Sequence, residues 1–222
     1  EIDSARVAIE AGVDAIGLIF VPGVRRRISR QRALPIVDAV RAEFGNKAEI
    51  VGLFADQTPE EINRLIGALK LDSVQLCGTE SMETCSMVKA PVAKVIALDP
   101  AIPTAAQLPR IMTLQQRHVL AGHKIVLDTK IAGQFGGTGI PMDWGIAGEL
   151  AQAFDLTLAG GLSPDNVADA LRTARPWGVD CSSGVESGGK KDPIKIRGFV
   201  KVVRDFDART KTGIISRLFG KS

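Results

Sequence analysis

The chain has 222 residues, 45% of them hydrophobic and 24% charged, with a formal net charge of +3. That is the composition of a soluble globular protein, long enough for one sizeable α/β domain or two small ones. The small net charge argues against a nucleic-acid partner, and no apolar run approaches the length that spans a bilayer.

The opening EIDSARVAIEAG reads as most of a helix, and AIGLIF (15–20) as a short continuous apolar run, the mark of a strand buried on both faces. RQRALPIVDAVRAEFG has helical spacing at Leu34, Val37, Val40 and Phe44 and stops at Gly45. IVGLF (50–54) is the next strand. TPEEINRLIGAL carries the clearest helix signal: Thr58 as N-cap, Pro59 in the first turn and Glu61 three residues after the cap. SVQL (73–76) is a strand, SMETCSMVK a helix, VAKVIAL a strand, and TAAQLPRIMTLQQR a helix that Pro109 weakens or kinks. KIVLD (124–128) is a strand running into a glycine-rich loop, followed by the helix DWGIAGELAQA and the strand DLTLA. SPDNVADALRTA reads as a helix with Ser163 as N-cap and Pro164 at its first position, GVDCSS as a strand, and DPIKIRGFVKVVRDF as a last helix opened by Asp192 and Pro193. This organisation predicts a single domain over 1–206 and a basic, flexible tail over 207–222.

Strict alternation of apolar strands with amphipathic helices predicts a parallel sheet. The count is seven strands and eight helices, and the first helix has no strand before it. A (βα)₈ barrel has equal numbers of each, so the simplest account is a barrel whose first strand is absent from this chain. An open sheet that begins with a helix is the competing account. Tyr is absent and aromatics make up 5%, so the core is expected to be aliphatic. The three cysteines, Cys77, Cys85 and Cys181, are odd in number and irregular in spacing. They form no metal pattern and point to a reducing, cytoplasmic compartment.

The chemistry is expected in the loops after the later strands. LAGGLSPDN and DCSSGVESGG each place small residues before a helix start, where converging backbone N–H groups and a helix N-terminus favour an anion. In (βα)₈ barrels the phosphate site is frequently built from the loops after strands seven and eight, which is where these two fall if strand one is absent. Gly160 and Gly161 then approach a phosphate from one side, Ser183 and Gly184 from the other; the plainer reading is a tight turn at the glycines and a cap at Ser182 and Ser183. Asp128 ends a hydrophobic strand, where barrel enzymes place catalytic groups, and a half-buried carboxylate there is able to donate a proton near neutral pH. A turn or a pairing with a lysine accounts for it equally well. Gly133, Gly136, Gly137 and Gly139 allow the next loop to close over a substrate. Of the three arginines in VRRRIS (24–29), one turned inward is able to clamp a carboxylate.

Taken in order, FVPGVRRRIS, QLCGTE, LDTKIAGQFGGTGIPMDW, LAGGLSPDNV and GVDCSSGVESGGKKDP resemble the phosphoribosylanthranilate isomerase family, from the first helix to about Phe206. The resemblance implies a TIM-type (βα)₈ barrel of the phosphate-binding kind, an Amadori rearrangement of N-(5′-phosphoribosyl)anthranilate in tryptophan biosynthesis, and neither cofactor nor metal. It implies Asp128 as the general acid, Arg26 facing the anthranilate part, Asp180 as a further polar contact, and Gly160, Gly161, Ser183 and Gly184 as the phosphate grip. The partner is the small phosphosugar-anthranilate substrate, with no nucleic acid and no membrane, in a monomer or homodimer.

Two departures stand out. The family begins with a strand K-I-C-G-(L/I)-T whose cysteine is the general base, and this chain has no such strand; the expectation is an incomplete, poorly stable and weakly active or inactive polypeptide. The family's QLHG is QLCG here, with Cys77 expected as a small buried residue filling a histidine's space rather than as a substitute base. The alternative function is a non-catalytic phosphosugar-binding barrel that has lost its base.

Overall fold

The structure, a computed structural model, describes residues 1–99, 101–129 and 143–219. Helix α1 (Ile2–Ala11) ends at Gly12, whose φ of 99° lets its N–H turn back to the Ala8 and Ile9 carbonyls. Strand β1 (Ala15–Ile19) and helix α2 (Arg30–Phe44) follow, the Ser29 side chain accepting from the Arg32 N–H as cap. After β2 (Glu49–Phe54), α3 (Pro59–Leu69) opens with the capping box expected from Thr58 and Glu61. Then come β3 (Ser73–Leu76), α4 (Met82–Ser86), β4 (Val92–Leu98) and α5 (Thr104–Leu120), which runs unbroken through Pro109. Next are β5 (Lys124–Thr129), α6 (Trp144–Ala153), β6 (Leu156–Leu158), α7 (Val167–Ala174) and β7 (Gly178–Val179). A 3₁₀ turn (Ser183–Val185) leads into the antiparallel pair β8 (Glu186–Ser187) and β9 (Lys190–Lys191), and α8 (Pro193–Phe219) closes the chain.

Strands β1 to β7 form one parallel sheet in which each pairs with the next in sequence, as an up-and-around βα chain requires. The register is regular: Ile16 opposes Ile50, Gly52 opposes Val74, Ala97 opposes Asp128 and Leu127 opposes Leu158. Strand alternation sends Leu18, Ile50, Phe54, Val74 and Leu76 into one buried cluster with α2 and α3, and Ile96, Leu98, Ile125, Leu127, Leu156 and Leu158 into a second with α5 to α8. The core is aliphatic, with Phe20 and Phe54 stacked at 5.4 Å as its main ring contact. The opposite face, carrying Gly17, Val51, Gln75, Ala97, Asp128, Thr157 and Gly178, lines the inside of the curl.

The sheet is curled, yet β1 and β7 are not paired among the described residues. Helix and side-chain contacts bring the two edges round to each other. α1 packs on α8, Arg204 of α8 donates to the Gly12 carbonyl (2.6 Å) and pairs with Asp14 (2.7 Å), and at the other end Arg25 and Arg26 reach Glu186. Among the described residues, seven parallel strands in a curl with eight helices around them match the arrangement of a (βα)₈ barrel and not of a flat doubly wound sheet.

The main departures from the sequence expectation lie in the second half of the chain. α7 starts at Val167, because Ser163 caps a separate turn, its Oγ accepting from the Asp165 N–H. GVDCSS forms only a two-residue strand, since β6 is too short to pair further. The β8–β9 hairpin has no apolar alternation to announce it. The α8 backbone continues past 206 to Phe219, so that position is not an element boundary. The glycines of the loop after β5, Gly133, Gly136, Gly137 and Gly139, lie outside the described residues.

Candidate active site

Among the described residues, Arg26, Cys77, Asp128, Gly160, Gly161, Asp180, Ser183 and Gly184 all lie at or after the C-terminal ends of strands. Asp128 is half-buried on the inner face of β5, opposite Ala97 of β4. The next strand, β6, leaves the sheet at Ala159, whose N–H bonds the Leu127 carbonyl at 2.8 Å. Gly160 and Gly161 follow with φ of 84° and 67°, a left-handed pair that a side chain would strain. Neither amide donates to a backbone carbonyl among the described residues. The glycine loop is stapled to α7 by Asn166, which accepts from the Ser163 N–H (2.8 Å) and donates to the Gly161 carbonyl (2.9 Å).

The second loop packs onto the first. A Cβ at Gly184 would lie 1.8 Å from the Leu162 carbonyl oxygen, so only glycine allows this approach. The Cys181 thiol donates to the same oxygen at 3.0 Å. Lys191 of β9 donates to the Ser182 carbonyl at 2.7 Å, placing an ammonium beside the Ser182–Gly184 turn. Small residues on two loops and this lysine, which also lies 3.5 Å from Glu186, are brought together in a way that suits an anion. Lys191 and Asn166 were not picked out from the sequence. Asn166 was visible in the LAGGLSPDN stretch, whereas Lys191 depends on the hairpin.

Asp180 follows β7, its N–H on the Leu158 carbonyl at 2.9 Å. Loss of water raises its pKa above the ordinary carboxylate value, against the pull of Lys191 and a bond from the Cys181 N–H. Cys77 follows β3 on the inner face, its N–H on the Phe54 carbonyl at 2.7 Å. Burial pushes its thiol up to about 12, a bond from Gln75 opposes this, and the charges of Glu80 and Asp180 add to it. Cys77 is therefore a protonated thiol at neutral pH and no base. Beneath it Glu80, its side chain 1% exposed, accepts from the Asp56 and Gly78 N–H groups and meets the Lys94 ammonium at 2.5 Å. This pair, unannounced in the sequence, holds the turns after β2 and β3.

Arg26 is half-buried at the mouth, as expected of one arginine in three. It is also bound: its Nε donates to Glu186 at 2.6 Å, while Arg25 donates to the other Glu186 oxygen (2.7 Å) and to the Gly189 carbonyl (2.6 Å). Burial works against the Glu186 charge, but the Arg26 and Arg25 bonds outweigh it and hold the carboxyl below its ordinary value.

Residues 1–202 match the family described as N-(5′-phosphoribosyl)anthranilate (PRA) isomerase. An N-(5′-phosphoribosyl)anthranilate isomerase from Dehalococcoides mccartyi is 38% identical over 214 residues, covering 93% of each chain. One from Roseiflexus castenholzii is 40% identical over 207 residues, 91% of this chain and 93% of that one. Among solved structures, the phosphoribosyl anthranilate isomerase of Thermotoga maritima superposes with a TM-score of 0.79 at 31% identity, over 92% of this chain and 95% of that one. A structure of such an isomerase in complex with reduced 1-(o-carboxyphenylamino)-1-deoxyribulose 5-phosphate gives 0.76 at 30%, over 92% and 94%. A curled βα sheet, an acidic strand end beside two small-residue loops, and this agreement along nearly the whole chain have one reading: the chain belongs to the phosphoribosylanthranilate isomerase family, enzymes of tryptophan biosynthesis.

Proposed function

We propose that this chain converts N-(5′-phosphoribosyl)anthranilate to 1-(2-carboxyphenylamino)-1-deoxyribulose 5-phosphate with Asp128 as the general acid. The observation that carries this is adjacency: Asp128 is the penultimate residue of β5, and the next two strands on the same rim lead into the Gly160–Gly161 and Ser183–Gly184 loops. The phosphate binds between those loops, anchored by their amides and by Lys191. The ribose then lies towards β5, where Asp128 protonates the ring oxygen and opens the ring. The C1′–O bond breaks as the anilino nitrogen lone pair forms the iminium. A base takes the C2′ proton to give the enolamine, which becomes the amino ketone by gaining a proton at C1′ and losing its enol O–H proton. Solvent returns a proton to Asp128 as the base releases its own. Arg26, oriented by Glu186, faces the anthranilate carboxylate, and Asp180 contacts the substrate from β7. The substrate supplies the electrons that move, so the reaction needs no external oxidant or reductant.

The general base is the open part of the site. Cys77 is a poor one, because a thiol with a pKa of about 12 keeps its proton. In this reading the base is a cysteine carried on a K-I-C-G-L-T strand seated between β7 and β1. The test is a fluorescence assay of the chain alone, of the chain preceded by that strand, and of Asp128→Asn in the latter. Turnover with the strand, and a fall of about 10²- to 10⁴-fold on Asp128→Asn, are expected. Full activity in Asp128→Asn refutes the acid assignment. Phosphosugar binding without turnover in either form favours a non-catalytic binding barrel. A chain of this kind acts as a monomer or a homodimer, which size-exclusion with light scattering distinguishes.

A further inference from the structure

On the helix-facing side of the sheet, away from the strand mouths, α4, the end of α5 and the residue before β5 bring three ligand-bearing side chains together. Cys85 Sγ and one nitrogen each of His118 and His123 all lie within 4.8 Å of one another. The linear sequence hides this group: the cysteines show no metal spacing, and the histidines, five residues apart, straddle the end of a helix. We propose that Cys85, His118 and His123 form a binding site for a thiophilic metal ion, zinc(II) or copper(I), that ties α4 to the α5–β5 corner.

Geometry supports the site. His118 Nδ1 and His123 Nδ1 are 3.0 Å apart, close to the ~3.3 Å edge of a tetrahedron with metal–nitrogen bonds of about 2.0 Å. Cys85 and His118 are 2% and 5% exposed, so both are already held in place. Cys85 and His123 line one wall of a cleft of about 420 Å³, which gives an ion its entry and a water its place as fourth ligand. Gln115, three residues before His118 on the same face of α5, is fully buried with neither side-chain polar atom bonded among the described residues. An orphaned amide in a core is costly, and this one lies one helical turn from a proposed ligand. Charge is also compatible. A thiolate and two neutral imidazoles offset one positive charge, and the neighbouring Lys94 is neutralised by Glu80.

The test uses the full reduced chain stripped with a chelator. Cobalt(II) titration is expected to produce a thiolate-to-cobalt charge-transfer band at one equivalent per chain, and zinc(II) or copper(I) to displace it. A Cys77→Ser, Cys181→Ser background is expected to keep the band, and Cys85→Ser to lose it. His123→Ala, at a half-buried corner where folding is readily retained and checked by circular dichroism, is expected to weaken binding by about tenfold or more. Zinc should raise Tm in the parent and not in His123→Ala. Absence of the band in the parent, or a band that survives Cys85→Ser or is unchanged in His123→Ala, overturns the proposal. The isomerase reading is untouched by either result.

Discussion

The ring is held in two different ways. From β1 round to β7 each strand is bonded to the next through backbone groups, with buried aliphatic clusters behind. Between β7 and β1, the described residues have no backbone ladder. That seam is crossed by α1 on α8, by Arg204 on Gly12 and Asp14, and by two arginines on one glutamate. The arc is held chiefly by backbone ladders and apolar burial between neighbouring strands, with one buried ion pair, Glu80 and Lys94, inside it. The seam is charged and long-range, and its upper clasp includes Arg26 of the candidate site. Stability and site geometry are therefore coupled more tightly at the seam than elsewhere.

The comparison is broken most severely by unpairing a charge inside the arc. Glu80→Gln leaves the Lys94 ammonium buried without its counter-charge, and a loss of about 3–5 kcal/mol is expected in urea unfolding. Changing both partners to Met should restore much of it. Leu127→Ala, at a fully buried position, is expected to cost about 2–5 kcal/mol with no pH dependence of its own. At the seam, Glu186→Gln removes the negative charge and one of the two oxygens that accept from Arg25 and Arg26, and about 1.5–3 kcal/mol is expected.

The pH dependence sharpens the contrast further. The folded pKa of Glu186 is held below its ordinary 4.5, so its stabilisation is present above that value and is lost as pH falls through the lowered one. The parent should lose stability over that acid range more steeply than Glu186→Gln, while Leu127→Ala should follow the parent slope. The smallest effect belongs to Arg204→Ala. Asp14 is largely exposed, so about 0–1 kcal/mol is expected, reduced further by salt.

The positions of Asp128, Gly160, Gly161 and Asp180 on one rim follow from the βα order alone, since apolar runs mark strands and the loops after them share one end of the sheet. The capping box of α3 and the glycine at the end of α1 were equally legible, being local in sequence. The Glu80–Lys94 pair, the clasp on Glu186 and the Cys85–His118–His123 group were not. Each joins residues on different elements, and no spacing rule connects them. The Ser163 cap was misread for a related reason: Ser-Pro can open a helix or a turn, and the choice fell to Asn166 bonding back to the glycine loop.

The amino-acid sequence alone determined the alternating elements, the parallel sheet and the end of it that carries chemistry, because hydrophobic period and turn residues act over a few positions. Only the tertiary structure decided that the edges of the sheet meet through charged side chains rather than backbone bonds, that Cys77 keeps its proton, and which distant polar groups share a burial site. Those outcomes depend on desolvation and on distances across the fold, and neither is written in the order of the residues.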